Sequence, residues 1–163
     1  MHARACAHAV LRKFTRSRHG GHNGRVLAAV LAALAITFPT GHAVLRTPAK
    51  TLTIKVELAR TPEQHARGLM GRASLPPNRG MAFLYSDPHR SAYWMKDVRI
   101  PLSIAFWGRR GRILKILDMP LCRRNPCPVY DPGVAFRGAL EVNRGAFRRW
   151  HVRAGDSVQI RAR

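Results

Sequence analysis

Acidic residues are scarce in this chain: Asp and Glu number 8 against 29 Lys and Arg, which gives the 163 residues a formal net charge of +21. No two of these acids stand out as a catalytic pair, and no Ser-His-Asp order is visible, so two standard layouts for hydrolysis are missing. Long apolar runs are lacking too. The run Val26 to Phe38 has 13 residues, short of the roughly 20 that a helix needs to cross the hydrocarbon of a bilayer. Cysteines number 3 and include no C-x-x-C, so a redox-active dithiol is disfavoured. His65, His89 and His151 are scattered and lack metal-ligand spacing, so no metal and no cofactor is implied. Repeats, helix-turn-helix, RNP aromatics and zinc knuckles are absent as well, and nucleic acid is not an expected partner in spite of the charge.

The N-terminal region reads as an address. Before Val26 come 6 basic residues and no acid, then the apolar run, Pro39, and the small residues of Gly41-His42-Ala43. Residues 1–43 therefore read as a secretory signal peptide with a long n-region, cut after Ala43. An uncleaved membrane anchor is the lesser option. The expected location is outside the cytoplasm: secreted, periplasmic or extracellular. Residues 44–50 then form a short tether, and residues 51–163 a single β-rich domain of ordinary size. Taking 6 bases from 29 leaves 23 against 8 acids, a charge of +15 beyond residue 43, which suits anionic lipid or acidic wall polymer. Cys122 and Cys127 lie in the proline-rich stretch LCRRNPCPVY, and in an exported domain this spacing predicts a local disulfide.

Strand patterns dominate the domain. TLTIKVELAR alternates with Leu52, Ile54, Val56 and Leu58 on one side, a half-buried strand. Thr61-Pro62-Glu63-Gln64 supplies a capping box and a proline for a helix start, and Gly68 and Gly71 end that helix within about two turns. GMAFLY places Met81, Phe83 and Tyr85 on one face of the next strand. IPLSIAFW and RILKILDM flank Gly108-Arg109-Arg110-Gly111 as a hairpin, and the second arm, apolar on both faces, is expected in the interior. GALEVN and SVQIRA add strands around a helical turn at AFRRW. The fold class is mainly β: a β-sandwich or partly closed antiparallel barrel with one or two short helices.

Several ordered blocks, Arg67-Gly68-Leu69-Met70, Gly80-Met81-Ala82-Phe83, Trp94-Met95-Lys96, Ile100 to Phe106, Ala139-Leu140-Glu141 and Gly155-Asp156, resemble the family catalogued as domain of unknown function 192. The resemblance spans roughly residues 51–161. It implies a small mainly-β domain, commonly behind a signal peptide, and no established reaction, cofactor or catalytic residue. Many members carry an acid where this chain has Ser103, so a role for that carboxylate does not carry over.

The candidate ligand-binding residues are Trp94, Met95, Lys96, Asp97, Glu141 and Arg67. In YWMKD an apolar pair abuts a charged pair, and two readings stand. Trp94 and Met95 end a core segment, with Lys96 and Asp97 the first wet residues; or Trp94 and Met95 wall a pocket with the charges on its rim. Glu141 sits opposite Leu140 and Val142 and is either solvated or, if its face is covered, in need of a cation such as Lys96 or Arg67. His65 is expected on the exposed side of its helix. Met70, Met81, Met95 and Met119 raise Cu(I) ligation, against which stands the common use of methionine in irregular cores. The functional expectation is a non-catalytic ligand-binding or accessory factor at the cell envelope, its partner an unknown small molecule or anionic envelope component. One alternative is a small enzyme using a Lys/Asp/Glu site near Trp94; another is a basic surface for anionic lipid or wall polymer.

Overall fold

The computed structural model describes residues 35–162; most of the signal-peptide reading, residues 1–34, lies outside them. The elements follow the order β1 (Thr40–Arg46), β2 (Thr51–Ala59), α1 (Pro62–Arg67), β3 (Arg79–His89), β4 (Tyr93–Trp94), β5 (Leu102–Trp107), β6 (Ile113–Met119), β7 (Val129–Tyr130), β8 (Phe136–Asn143), α2 (Ala146–Arg149) and β9 (Ser157–Ala162). Alternation drives β2, where Ile54, Val56 and Leu58 are buried while Thr51, Thr53 and Lys55 face water. In α1 the Thr61 hydroxyl accepts the Gln64 N–H at 3.3 Å and the Gln64 side-chain oxygen accepts the Thr61 N–H at 3.2 Å. This reciprocal cap holds a helix of only 6 residues.

Seven strands form one sheet in the order β6-β5-β8-β3-β2-β1-β9, and β4 pairs with β7 in a separate two-stranded ribbon. Neighbours are antiparallel except β2 and β3, which α1 and its following loop connect as a parallel pair. The edge strands β6 and β9 meet at one end through an Arg112–Ser157 bridge and a 2.8 Å bond from the Ile113 N–H to the Asp156 carbonyl. The ladder goes no further, so the sheet is not closed into a barrel. The described residues are mainly β, with two sheets and two short α-helices.

Apolar residues cover both faces of the central strands. Leu45, Ile54, Val56, Leu140, Val142 and Phe147 share one cluster, and Met81, Phe83, Met95, Ile104, Phe106 and Phe136 share the other. All residues of β5 are buried, because β5 lies between β6 and β8 with a cluster on each side.

Two expectations are corrected. Residues 44–46 are no tether: they belong to β1, which pairs with β2 on one side and β9 on the other, with Ala43, Val44 and Leu45 buried. Gly41 serves this strand, since a Cβ there would meet the Arg161 carbonyl oxygen at 2.5 Å. Gly41 thus lets β1 and β9 approach. The second correction concerns β6, expected inside but found at the sheet edge. Its half-buried Ile116 and Leu117 pack one against each cluster, so apolarity on both faces reflects a two-faced sheet and not an interior strand.

Candidate functional site

Glu141 sits in the middle of β8, opposite Ile104 of β5 and Met81 of β3. Leu140 and Val142 enter one apolar cluster, which turns Glu141 toward the other face. That face is covered. Glu141 is 5% exposed, and among the described residues its carboxyl makes no ion pair and no hydrogen bond. The other two buried polar residues are served: the Ser103 hydroxyl donates to Asp118 at 2.5 Å and accepts the Gly145 N–H at 2.8 Å, and the Asp156 carboxylate accepts the Arg153 N–H at 2.8 Å. Loss of water pushes the Glu141 carboxyl up to about 8.

Above Glu141 opens a cavity of about 410 Å³, within the size range of small-molecule sites. α1 contributes His65 and Arg67, β3 contributes Phe83, Tyr85 and His89, and β4 contributes Tyr93 and Trp94. The Tyr85 and Tyr93 hydroxyls lie 2.9 Å apart. Burial raises both phenols above their ordinary value and keeps them protonated. The His89 ring stacks on Tyr85 with centroids 4.1 Å apart and planes 9° from parallel, and the His65 ring lies 4.6 Å from Tyr85. The His65 Nε2–H donates to the Ala59 carbonyl at 3.0 Å. Phe83 and Phe106 meet Tyr93 edge-on at 5.2 and 5.5 Å. These contacts anchor the walls in the core and leave little slack in the rings.

Of the residues singled out from sequence, Glu141, Trp94 and Arg67 line this one cavity. The others do not join them. Met95 is 1% exposed in the core; Asp97 is exposed with φ 57° and accepts the Gly71 N–H through its carbonyl. The Lys96 ammonium lies over the Trp94 ring, 5.6 Å from its centroid, and makes no ion pair with Glu141. The Lys/Asp/Glu constellation is therefore not assembled. His65, expected to face water, instead turns inward to Tyr85. Sequence reading missed Tyr85, Tyr93 and His89 as site residues, although the alternation of GMAFLY already placed Tyr85 beside Met81, the register partner of Glu141.

Met81, Met95 and Met119 are buried in the apolar cluster, while Met70 reaches the cavity wall. Among the described residues no group of three or more His, Cys, Asp or Glu could hold a metal ion. Cys122 and Cys127 are joined as a disulfide with Cα atoms 5.5 Å apart. No helix of the described residues is long and apolar enough to cross a membrane.

A family model, DUF192, described as Uncharacterized ACR, matches residues 43–160. A candidate transcription regulator from Sinorhizobium meliloti 1021 has a similar structure, with TM-score 0.71 and 28% identity over 77% of this chain and 96% of that one. A protein of unknown function from Novosphingobium aromaticivorans DSM 12444 has TM-score 0.67 and 28% identity over 86% and 99% of the two chains. No curated protein matches.

Proposed function

We propose, from the premise that this chain belongs to the DUF192 family, that it is an exported protein that binds a small ligand in the cavity over Glu141. One observation carries the reading: a buried carboxyl without a partner forms the floor of a ring-walled cavity. A carboxyl largely withdrawn from water without a partner costs stability, and a ligand that supplies the missing partner offsets that cost. The basic segment and short apolar run before β1 support export, as does the Cys122–Cys127 disulfide, since such bonds persist outside the reducing cytoplasm.

Native mass spectrometry of the full chain, gently purified after export from a bacterial host, tests the proposal. A retained small molecule that disappears in Tyr85→Ala/Trp94→Ala is the expected result. An empty protein that a metabolite collection also fails to stabilise against heat would refute it. A basic surface for anionic envelope polymers is a second reading, favoured by Arg123, Arg124 and Arg144 around one groove beside Pro101 and Leu121. Co-sedimentation with anionic vesicles that is indifferent to charge reversal at these arginines would exclude it.

A further inference from the structure

Resting on the reading of the cavity as a ligand site, we infer that its ligand is a small organic cation, an ammonium group held by the Glu141 carboxylate and the aromatic walls that Phe83, Tyr93 and Trp94 supply. The first argument is one of supply. A chain with 29 Lys and Arg against 8 Asp and Glu has cations to spare, yet among the described residues the one buried carboxyl without a hydrogen bond also lacks an ion pair. The Glu57 carboxylate has Arg72, and Asp118 has Arg144 and Arg148 at 3.9 and 3.6 Å. Among the described residues, only at Glu141 is a buried carboxyl left to be paired from outside.

The walls point the same way. An aromatic face carries negative charge density and attracts a cation within about 6 Å of the ring centre. This chain already uses its rings so: Lys96 lies over Trp94 at 5.6 Å and the Arg72 guanidinium over Phe38 at 5.9 Å. Other ligand classes fit the lining less well. An anion would meet the Arg67 guanidinium at the wall but would also face Glu141 and the aromatic lining. A hard metal ion takes six or more oxygens, whereas the lining side chains offer one carboxylate and three hydroxyls, those of Tyr85, Ser91 and Tyr93. A neutral molecule leaves the carboxyl to keep its proton and gains nothing from the charge.

Binding is then linked to protons. The empty site holds a carboxyl pushed up to about 8, and an ammonium ion requires it ionised, so a proton leaves as the cation enters. Affinity should rise about tenfold per pH unit below about 8 and level off above it. The titratable groups facing the cavity are His65 and Arg67 from α1, Tyr85 and His89 from β3 and Tyr93 from β4; the Arg67 guanidinium opposes a cation without adding to the pH dependence.

Calorimetry on the full chain between about pH 6 and 9 decides, with choline as the probe and 3,3-dimethylbutan-1-ol as its uncharged isostere. Choline should bind at least about tenfold tighter than the isostere, release close to one proton near neutrality, and lose both the advantage and the pH dependence in Glu141→Gln. Trp94→Leu, at a half-exposed wall position, should weaken choline several-fold and spare the isostere, which keeps the test alive if Glu141→Gln folds poorly. Equal binding of choline and isostere overturns the inference, as does full choline affinity in Glu141→Gln. So does no binding of choline, methylammonium and tetramethylammonium; if native spectra then show a retained uncharged molecule, the ligand-binding reading stands, and if they show none, it falls too.

Discussion

A carboxyl held near 8 by burial keeps its proton in the folded chain at pH values where the unfolded chain has lost it. For Glu141 the ordinary value is 4.5, so this group's contribution to stability is fully present below about 4.5, falls as pH rises, and levels off above about 8, with a slope of at most about 1.4 kcal/mol per pH unit. Denaturation of the ligand-free protein across that window should show the decline, and Glu141→Gln should flatten it; a wild-type curve with no slope between pH 5 and 8 would mean that water reaches the carboxyl. Gly138 gives a second test at this scale. A Cβ there would stand 2.1 Å from the ring of Trp107, which is 6% exposed and has no room to retreat. Gly138→Ala should cost about 1 to 3 kcal/mol, measured by urea unfolding. Neither environment is visible in a local window of sequence. GALEVN shows which residues share a face, and so Glu141 could be singled out, but only the strand neighbours decide whether that face is wet.

Elements read from alternation and capping were the legible ones. The pattern from Thr51 to Ala59, the Thr61-Gln64 cap and the glycine-bounded hairpin of β5 and β6 stand where the residues put them. β1 was not legible, because its apolar residues continue a leader-like run and its small residues also fit a peptidase site. β4 and β7 were hard for another reason: each has 2 residues, too few to show a period. Their pairing places Tyr93 opposite Tyr130 and Trp94 opposite Val129, so β7 supports the part of the cavity wall that β4 carries. The Cys122–Cys127 ring lies just before β7. Replacing both cysteines by serine should lower stability by about 2 kcal/mol, the value expected for so short a loop, and should weaken ligand retention more than it changes the far-ultraviolet spectrum of the sheet. Unchanged retention in the double variant would detach the ribbon from the site.

At the scale of the molecule, the seven-stranded sheet needs β1 as its link, for β9 pairs with β1 along its length. The Thr37 carbonyl accepts a 2.7 Å bond from Gln64, the Pro39 carbonyl accepts one of 2.7 Å from Leu58, and Phe38 packs on the apolar cluster. A cut after Ala43 would remove all of these together with half of β1. Processing of an exported chain should therefore fall upstream, where Ala33-Leu34-Ala35 offers the small-x-small pattern. N-terminal sequencing of exported protein should begin at Ile36, and a start at Val44 in folded protein would contradict this. The position of the disulfide then bears on the order of events in the life of the chain. If the chain is exported as proposed, its thiol pair is oxidised only after translocation, and the loop that leads into the β4–β7 ribbon is then closed outside the cytoplasm. On that proposal the wall that β4 and β7 build is completed where the protein is exported to, and the place of folding would act as a filter on the ligand beside the shape of the pocket.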